Sequence, residues 1–298
     1  MFNEDYLRYK ELVDSHLLGF LPEIDQQSEA LYEAMKYSLS SGGKRLRPVL
    51  LLAANDFCGG DINTALPYAI AVEYIHTYSL IHDDLPCMDD DDMRRGKPAN
   101  HKVFGEDMAV LAGDGLLSVA FEIMLRDMLL YFDAPDKLKR KIRAANEIAK
   151  GAGCRGMVAG QVADIESQGR QCAKEYLEYI HLNKTAALIV SSLKAGAYLG
   201  GGTKEKLDAL TSYGEVIGLG FQIADDLLDV YGDAETMGKN TGKDYTRSKC
   251  TFPGIFGVEA AEQRLEDLTV KAVEIMEPFQ EEGEFFTQIA TQLSKRDK

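Results

Sequence analysis

Two clusters of aspartate, Asp83-Asp84-Leu85-Pro86-Cys87-Met88-Asp89 and Asp225-Asp226-Leu227-Leu228-Asp229, lie far apart in a chain of 298 residues, each at the end of a long apolar run. An unpaired carboxylate removed from water is costly, so carboxylates next to apolar runs call for a neutralising partner. Oxygen donors without supporting His or Cys favour Mg²⁺, which keeps several waters and commonly bridges a protein carboxylate to a substrate phosphate. Phosphate or diphosphate chemistry is the first expectation. Asp225 and Asp229 are four apart and project from one helix face, one turn apart, while Asp226 points about 100° away. In the first cluster Pro86 disfavours helical geometry at Leu85, so the chain leaves the helix after Asp84 and Asp89 can fold back towards Asp83. Either cluster alone reads equally well as solvated acid at a helix end; at matching positions on two helices they point to metal.

Two basic segments accompany the clusters. Arg94-Arg95-Gly96-Lys97 follows the first directly, and guanidinium forks suit phosphate oxygens. As a lone pair these arginines would more often be surface charges tied to Asp90, Asp91 and Asp92. The loop Ser41-Gly42-Gly43-Lys44-Arg45-Leu46-Arg47-Pro48 combines flexible backbone amides with three cations before an apolar helix beginning near Pro48. Such a helix N-terminus attracts anions.

The elements that must position these groups are helices. Apolar residues recur at three and four spacing in Tyr6 to Leu18, Ala30 to Leu39, Ala69 to Leu80, Val110 to Leu130, Leu138 to Ile148, Tyr176 to Leu199, Leu207 to Val230 and Leu265 to Met276. Strand alternation is absent. Asp133-Ala134-Pro135 resembles a cap with proline in the first turn, and Gly200-Gly201-Gly202-Thr203 a helix end followed by a new cap. With short gaps and no composition shift, the expected fold is all-α: one domain over 1–298, of about ten helices.

Composition narrows the partners. At 45% apolar residues the chain can bury a sizeable core, and 33 basic against 48 acidic residues give a net charge of −15. That charge argues against nucleic acid and anionic membrane surfaces. The five cysteines (Cys58, Cys87, Cys154, Cys172, Cys250) show no C-x-x-C spacing. Neither a disulfide framework nor a zinc site is indicated, and a reducing cytoplasm is expected. The N-terminus has no basic region followed by an apolar stretch, and no 18-residue uncharged run occurs, so neither export nor stable membrane insertion is expected.

Six motifs occur in order: GGKRLRP (Gly42 to Pro48), SLIHDDLPCMDDDDMRRGKPANH (Ser79 to His101), LAGDGLL (Leu111 to Leu117), GQVADI (Gly160 to Ile165), HLNKTAALI (His181 to Ile189) and GFQIADDLLDV (Gly220 to Val230). Nearly end to end, the chain resembles the bacterial trans-prenyl diphosphate synthases of the farnesyl/geranylgeranyl type. The resemblance implies helices around a deep central cavity, usually in a homodimer, with an aspartate-rich motif on each of two facing helices. It implies two or three Mg²⁺ per site, Mn²⁺ being an alternative. Asp83, Asp89 and Asp225 would ligate the ions that hold an allylic diphosphate, with Asp84 and Asp229 completing the motifs. Arg94, Lys184, Lys239 and Lys249 would grip that diphosphate, beside Thr185 and Gln222. Gly43, Lys44, Arg47, His76 and Arg95 would hold isopentenyl diphosphate, and Gln161 and Asp164 match a supporting layer. Spacing leaves open whether Lys239 or Lys243 plays the phosphate role; Lys239 is preferred because Gly-Lys stands at the corresponding place.

The chemistry this implies is sound in itself. A carbon–oxygen bond to diphosphate breaks readily when divalent ions and cations stabilise the departing charge. The allylic cation left behind needs an apolar cavity, and backbone carbonyls near Lys184 and Thr185 could stabilise it. Tyr78, five residues before Asp83, would put a ring in the path of the growing chain, while Ser79 leaves room beside it; one helical turn is 5.4 Å, about the reach of one isoprene unit. In the resembling family such an aromatic, with the widened first motif, accompanies the fifteen-carbon product, so farnesyl diphosphate is expected, with a twenty-carbon product as the alternative. His82 and His181 read as structural. A terpene cyclase would carry a different second motif, and a scaffold subunit would be expected to lose an aspartate cluster; this chain does neither.

Overall fold

The computed structural model describes residues 4–23, 25–170, 172–232 and 250–293. Among them are fourteen α-helices: α1 (Glu4–His16), α2 (Glu29–Leu39), α3 (Leu46–Phe57), α4 (Ile62–Asp83), α5 (Asn100–Phe104), α6 (Glu106–Leu129), α7 (Pro135–Ala152), α8 (Met157–Ser167), α9 (Lys174–Ile180), α10 (Ala187–Gly200), α11 (Lys204–Tyr231), α12 (Phe252–Phe256), α13 (Val258–Met276) and α14 (Glu284–Leu293). The all-α expectation holds, with one small exception: β1 (Met93–Arg94) pairs antiparallel with β2 (Lys97–Pro98).

Long helices α4, α6, α10 and α11 make the frame. α4 packs against α3 and α6, α10 against α3, α7 and α11, and α11 against α13. α4 is apolar nearly all round, with Tyr68, Ile70, Val72, Tyr74 and Ile75 buried, as befits a helix enclosed by neighbours rather than lying on a surface. One apolar cluster runs from Tyr6 of α1 through Leu50, Ile75, Leu116, Leu193 and Tyr213 to Leu293 of α14.

Helix ends follow their local chemistry. α4 begins where Asp61 accepts from the Asn63 amide at 2.9 Å, before the first turns that carry Pro67. α10 ends in Gly201, in the left-handed region at φ 73°, and Thr203 caps α11 by accepting from the Lys206 amide. Pro135 opens α7 as expected, but Ala134 stands at the cap and Asp133 makes no capping bond there. Other expectations need correction. The run Tyr176 to Leu199 is broken by a π-helical turn, His181–Ala186, between α9 and α10, and α5, α8, α12 and α14 lie outside every helix that apolar spacing predicts.

By length and composition α6 is apolar enough to cross a membrane, although it is one core-packed helix, lying against α2 and α4. Val110, Leu111, Leu125 and Leu129 on its other side are exposed.

Candidate active site

α4 delivers the first aspartate cluster. The helix ends at Asp83 with Asp84 at its cap, and Pro86 follows in the turn that leaves it. The chain then folds back: the Asp89 amide donates to the Asp83 carbonyl at 2.7 Å and the Asp91 amide to the Asp84 carbonyl at 3.1 Å. The widened motif therefore closes on itself, and Asp83 and Asp89 are both half-buried. Asp84 is buried, and both its oxygens accept from Arg94, which also pairs with Asp91.

The sequence Arg94-Arg95-Gly96-Lys97 is a tight hairpin. Arg95 and Gly96 take φ of 53° and 75°, the backbone a two-residue turn of this kind needs. The turn sends the two arginines different ways. Arg94 returns to Asp84, whereas Arg95 donates to the Gly42 carbonyl at 2.5 Å and lies 3.6 Å from Glu73. Gly43 is required beneath it: at φ 116°, a Cβ there would stand 2.7 Å from the Arg95 guanidinium carbon.

The basic loop does not offer three cations to a ligand. Arg45, at φ 53°, turns inward and is buried, donating to Asp14 at 2.9 Å, Glu73 at 2.6 Å and the Leu39 carbonyl at 2.7 Å. Lys44 is exposed, its carbonyl accepting from the Tyr6 hydroxyl. Arg47 is half-buried, its guanidinium 3.4 Å from His76, and its Nε has no partner among the described residues. Burial pulls Arg47 down to about 10 against the pull of Glu73 and Asp225. Burial, then Arg47, Arg95, Arg45 and Arg94, hold His76 well below its usual value, so its ring is neutral at pH 7.

Lys184 and Thr185 sit in the π-helical turn, an insertion that re-aims side chains within a helix. α8 approaches so closely that a Cβ on Gly160 would stand 2.0 Å from the Lys184 amide nitrogen. That contact brings buried Asp164 to the Lys184 ammonium at 2.5 Å. Gln161, on the same helix, is half-buried, and its amide oxygen has no partner among the described residues. Thr185 donates to Gln222 at 2.6 Å, Gln222 to Asp226 at 2.9 Å, and Asp226 also accepts from the Phe252 amide at 2.9 Å. Asp226 thus works inside the fold, as its offset of about 100° from Asp225 requires. Asp225 is half-buried and Asp229 buried.

Electrostatics joins these pieces. Asp225 acts on Arg47, Arg47 and Arg94 on His76, and Lys184 and Arg94 on Asp83. Burial, with Asp89 and Asp84 beside it, pushes the Asp83 carboxyl up to about 6 despite Lys184 and Arg94. Oxygen donors crowded until one resists ionisation fit a hard divalent cation, whose charge would relieve the crowding.

Tyr78 is buried one turn and a half below the cluster, edge-on to His82 with ring centroids 5.7 Å apart. Ser79 donates to the His76 carbonyl at 2.9 Å. His82 lies 3.0 Å from the Val110 carbonyl, and His181, buried and pushed down to about 4 by burial, lies 3.6 Å from Asp226. Lys239, Lys243 and Lys249 lie outside the described residues. Glu73, the anion shared by Arg45 and Arg95, escaped the sequence reading; its signal was a lone glutamate inside the apolar run of α4. A cavity of about 690 Å³ between α1, the end of α3 and α14, lined by Tyr9, Phe57 and Phe285, contains none of the residues above.

The polyprenyl synthetase family model matches residues 28–284. Geranylgeranyl pyrophosphate synthase 12 of Arabidopsis thaliana, a chloroplastic protein, is 51% identical over 92% of this chain and 75% of its own length. Farnesyl diphosphate synthase of Bacillus subtilis is 46% identical over 86% of this chain and 85% of its own. The crystal structure of geranyltransferase from Helicobacter pylori, complexed with magnesium and isoprenyl diphosphate, superposes with a TM-score of 0.84 at 28% identity, covering 99% of this chain and 98% of that one.

Proposed function

The chain belongs to the polyprenyl synthetase family, and from that premise we propose that this short-chain prenyltransferase condenses isopentenyl diphosphate with dimethylallyl and then geranyl diphosphate, giving (2E,6E)-farnesyl diphosphate and diphosphate. The observation that carries the reading is the common field of the two aspartate clusters, Arg47, Arg94 and Lys184.

The family is Mg²⁺-dependent, and Asp83, Asp89, Asp225 and Asp229 are the residues we assign to hold the metal. Bound Mg²⁺ supplies electrophilic stabilisation to the departing diphosphate. Arg94, kept in place by Asp84, and Lys184, kept in place by Asp164, present fixed cations to the allylic diphosphate. Thr185 and Gln222 are held beside them in one hydrogen-bond chain. Lys239 and Lys249 are assigned to the same diphosphate from their place in the sequence. Lys44 on the turn after Gly43, Arg47 in the first turn of α3, His76 of α4 and Arg95 of the hairpin are the residues we assign to isopentenyl diphosphate. Gln161 and Asp164 support Lys184 from α8. The alkene of isopentenyl diphosphate bonds to the allylic carbon as that carbon's bond to diphosphate breaks. The cation left on the isopentenyl unit then loses a proton from the adjacent carbon, forming the new double bond, and, the carboxylates being committed to metal, that proton goes to the released diphosphate.

Buried Tyr78 supports the fifteen-carbon product, since its ring stands on α4 below Asp83 and would block a longer chain. The twenty-carbon alternative is favoured by the name of the Arabidopsis relative. Mass analysis of the product made with Mg²⁺, isopentenyl and dimethylallyl diphosphates decides between them. Wild type is expected to stop at fifteen carbons and Tyr78→Ala to pass beyond; an unchanged product from Tyr78→Ala would remove Tyr78 as the floor.

The continuous apolar core supports one catalytic domain over 1–298. The exposed apolar row on α6 supports a homodimer, and the unpaired thiols a cytoplasmic setting.

A further inference from the structure

The fold-back of the aspartate-rich loop leaves a group outside the site above. Carboxylate oxygens of Asp90 and Asp92 and a ring nitrogen of His101 lie within 4.8 Å of one another. The backbone makes the grouping. Asp90 is held at φ 42° while its amide donates to the Leu85 carbonyl at 3.0 Å, and the Ala99 amide donates to the Asp92 carbonyl at 2.8 Å, setting the start of α5 beside the loop.

His101 is the informative member. It is 7% exposed, and neither Nδ1 nor Nε2 has a hydrogen-bond partner among the described residues. Burying a polar atom without a partner costs about 1–3 kcal/mol. A ring carrying two such atoms, aimed at two carboxylates, asks for something between them. Burial and Lys102 favour the neutral imidazole, the form that binds metal, while Asp90, Glu106 of α6 and Asp92 favour a positive charge at that point. Lys102 sits 2.8 Å from one oxygen of Asp92, and a carboxylate has lone pairs for a second partner.

We propose that Asp90, Asp92 and His101 form a second divalent-cation site, distinct from the aspartates assigned to diphosphate, that takes a first-row transition ion of the Zn²⁺ type and fastens the aspartate-rich loop to α5. One nitrogen with two oxygens suits Zn²⁺, Mn²⁺ or Co²⁺ better than Mg²⁺, which prefers oxygen alone. Three protein ligands leave a position for solvent, and exposed Asp90 and Asp92 give the ion its way in. Bonds of about 2.1 Å put ligand atoms about 3–3.5 Å apart, a closure that rotation of the two exposed aspartates provides.

The test uses the full chain, labelled with ¹⁵N-histidine, in a large excess of Mg²⁺ so that hard-cation sites are filled. The sequence has five histidines, and His101→Gln identifies the relevant ring. The His101 resonances are expected to shift with one equivalent of Zn²⁺ and to stay in place with Mg²⁺ alone. By calorimetry, Asp90→Asn and Asp92→Asn are each expected to weaken that Zn²⁺ binding by about tenfold or more. Both positions are exposed and asparagine tolerates the left-handed backbone of Asp90, so these variants serve even where His101→Gln fails to fold. Unmoved His101 resonances, or undiminished affinity when Asp90→Asn and Asp92→Asn are combined, would overturn the site. Neither result bears on prenyl transfer, which is read separately from diphosphate release.

Discussion

Burial and the neighbouring Asp89 and Asp84 push Asp83 to about 6, so this residue gives the site a pH dependence of definite sign. Its folded value is above the ordinary 3.8, so the metal-free protein gains stability from it as pH falls from about 6 towards 4. Metal binding has the opposite sign because it needs the carboxylate. Apparent Mg²⁺ affinity should therefore fall by about tenfold per pH unit below 6, and stay nearly flat above it. Calorimetric titrations on both sides of pH 6 check this, and Asp83→Asn should bind weakly with little dependence on pH. At the same scale, Arg45 shows the limit of counting charges. Three cations in Lys44-Arg45-Leu46-Arg47 read alike as sequence, yet the left-handed backbone at Arg45 buries its guanidinium between Asp14 and Glu73.

Between elements, the close approach of α8 to the π-helical turn sets the position of Lys184. Replacing Gly160 with Ala puts a methyl group on the Lys184 backbone, where no flexible side-chain end can yield. Overpacking of this kind costs about 1–3 kcal/mol. The expected outcome is a lower urea midpoint together with a fall in kcat, because the same displacement moves the ammonium off Asp164. The hairpin after β1 has its own anchor. Asp84→Asn removes the charge that holds Arg94 and leaves a half-buried guanidinium, a change expected to cost about 3 kcal/mol. Denaturant unfolding of that variant measures it. The π turn left no trace in hydrophobic periodicity: one inserted residue turns the pattern by about 100°, but the helix that follows is buried over most of its surface and offers no single apolar stripe to be displaced. The short α12 and α14 were missed because five- and ten-residue helices offer few periods to read.

For the whole molecule, the exposed row Val110, Leu111, Leu125 and Leu129 on α6 is the surface a second copy would cover. Leu125→Glu with Leu129→Glu should shift the sedimentation coefficient to that of a monomer while leaving the helical circular dichroism unchanged. An unchanged sedimentation coefficient would overturn α6 as the contact of the proposed homodimer. A net charge of −15 on each copy adds a long-range repulsion that burial of this row would have to outweigh.

The sequence by itself determined the helical class, the exit of the chain after Asp84, the return of Asp89 and the division of labour between Asp225 and Asp226. Each of these is a local matter of period, proline geometry or the 100° step of a helix. Only the tertiary structure decided which charges are spent on partners inside the fold. Arg45, Asp84, Asp164 and Asp226 carry the same charges as Arg47, Asp83, Asp89 and Asp225, and what separates them is burial and the partner each meets from a distant segment. Those partners are brought together by helix packing, and no spacing along the chain encodes the distance between α4, α8 and α11.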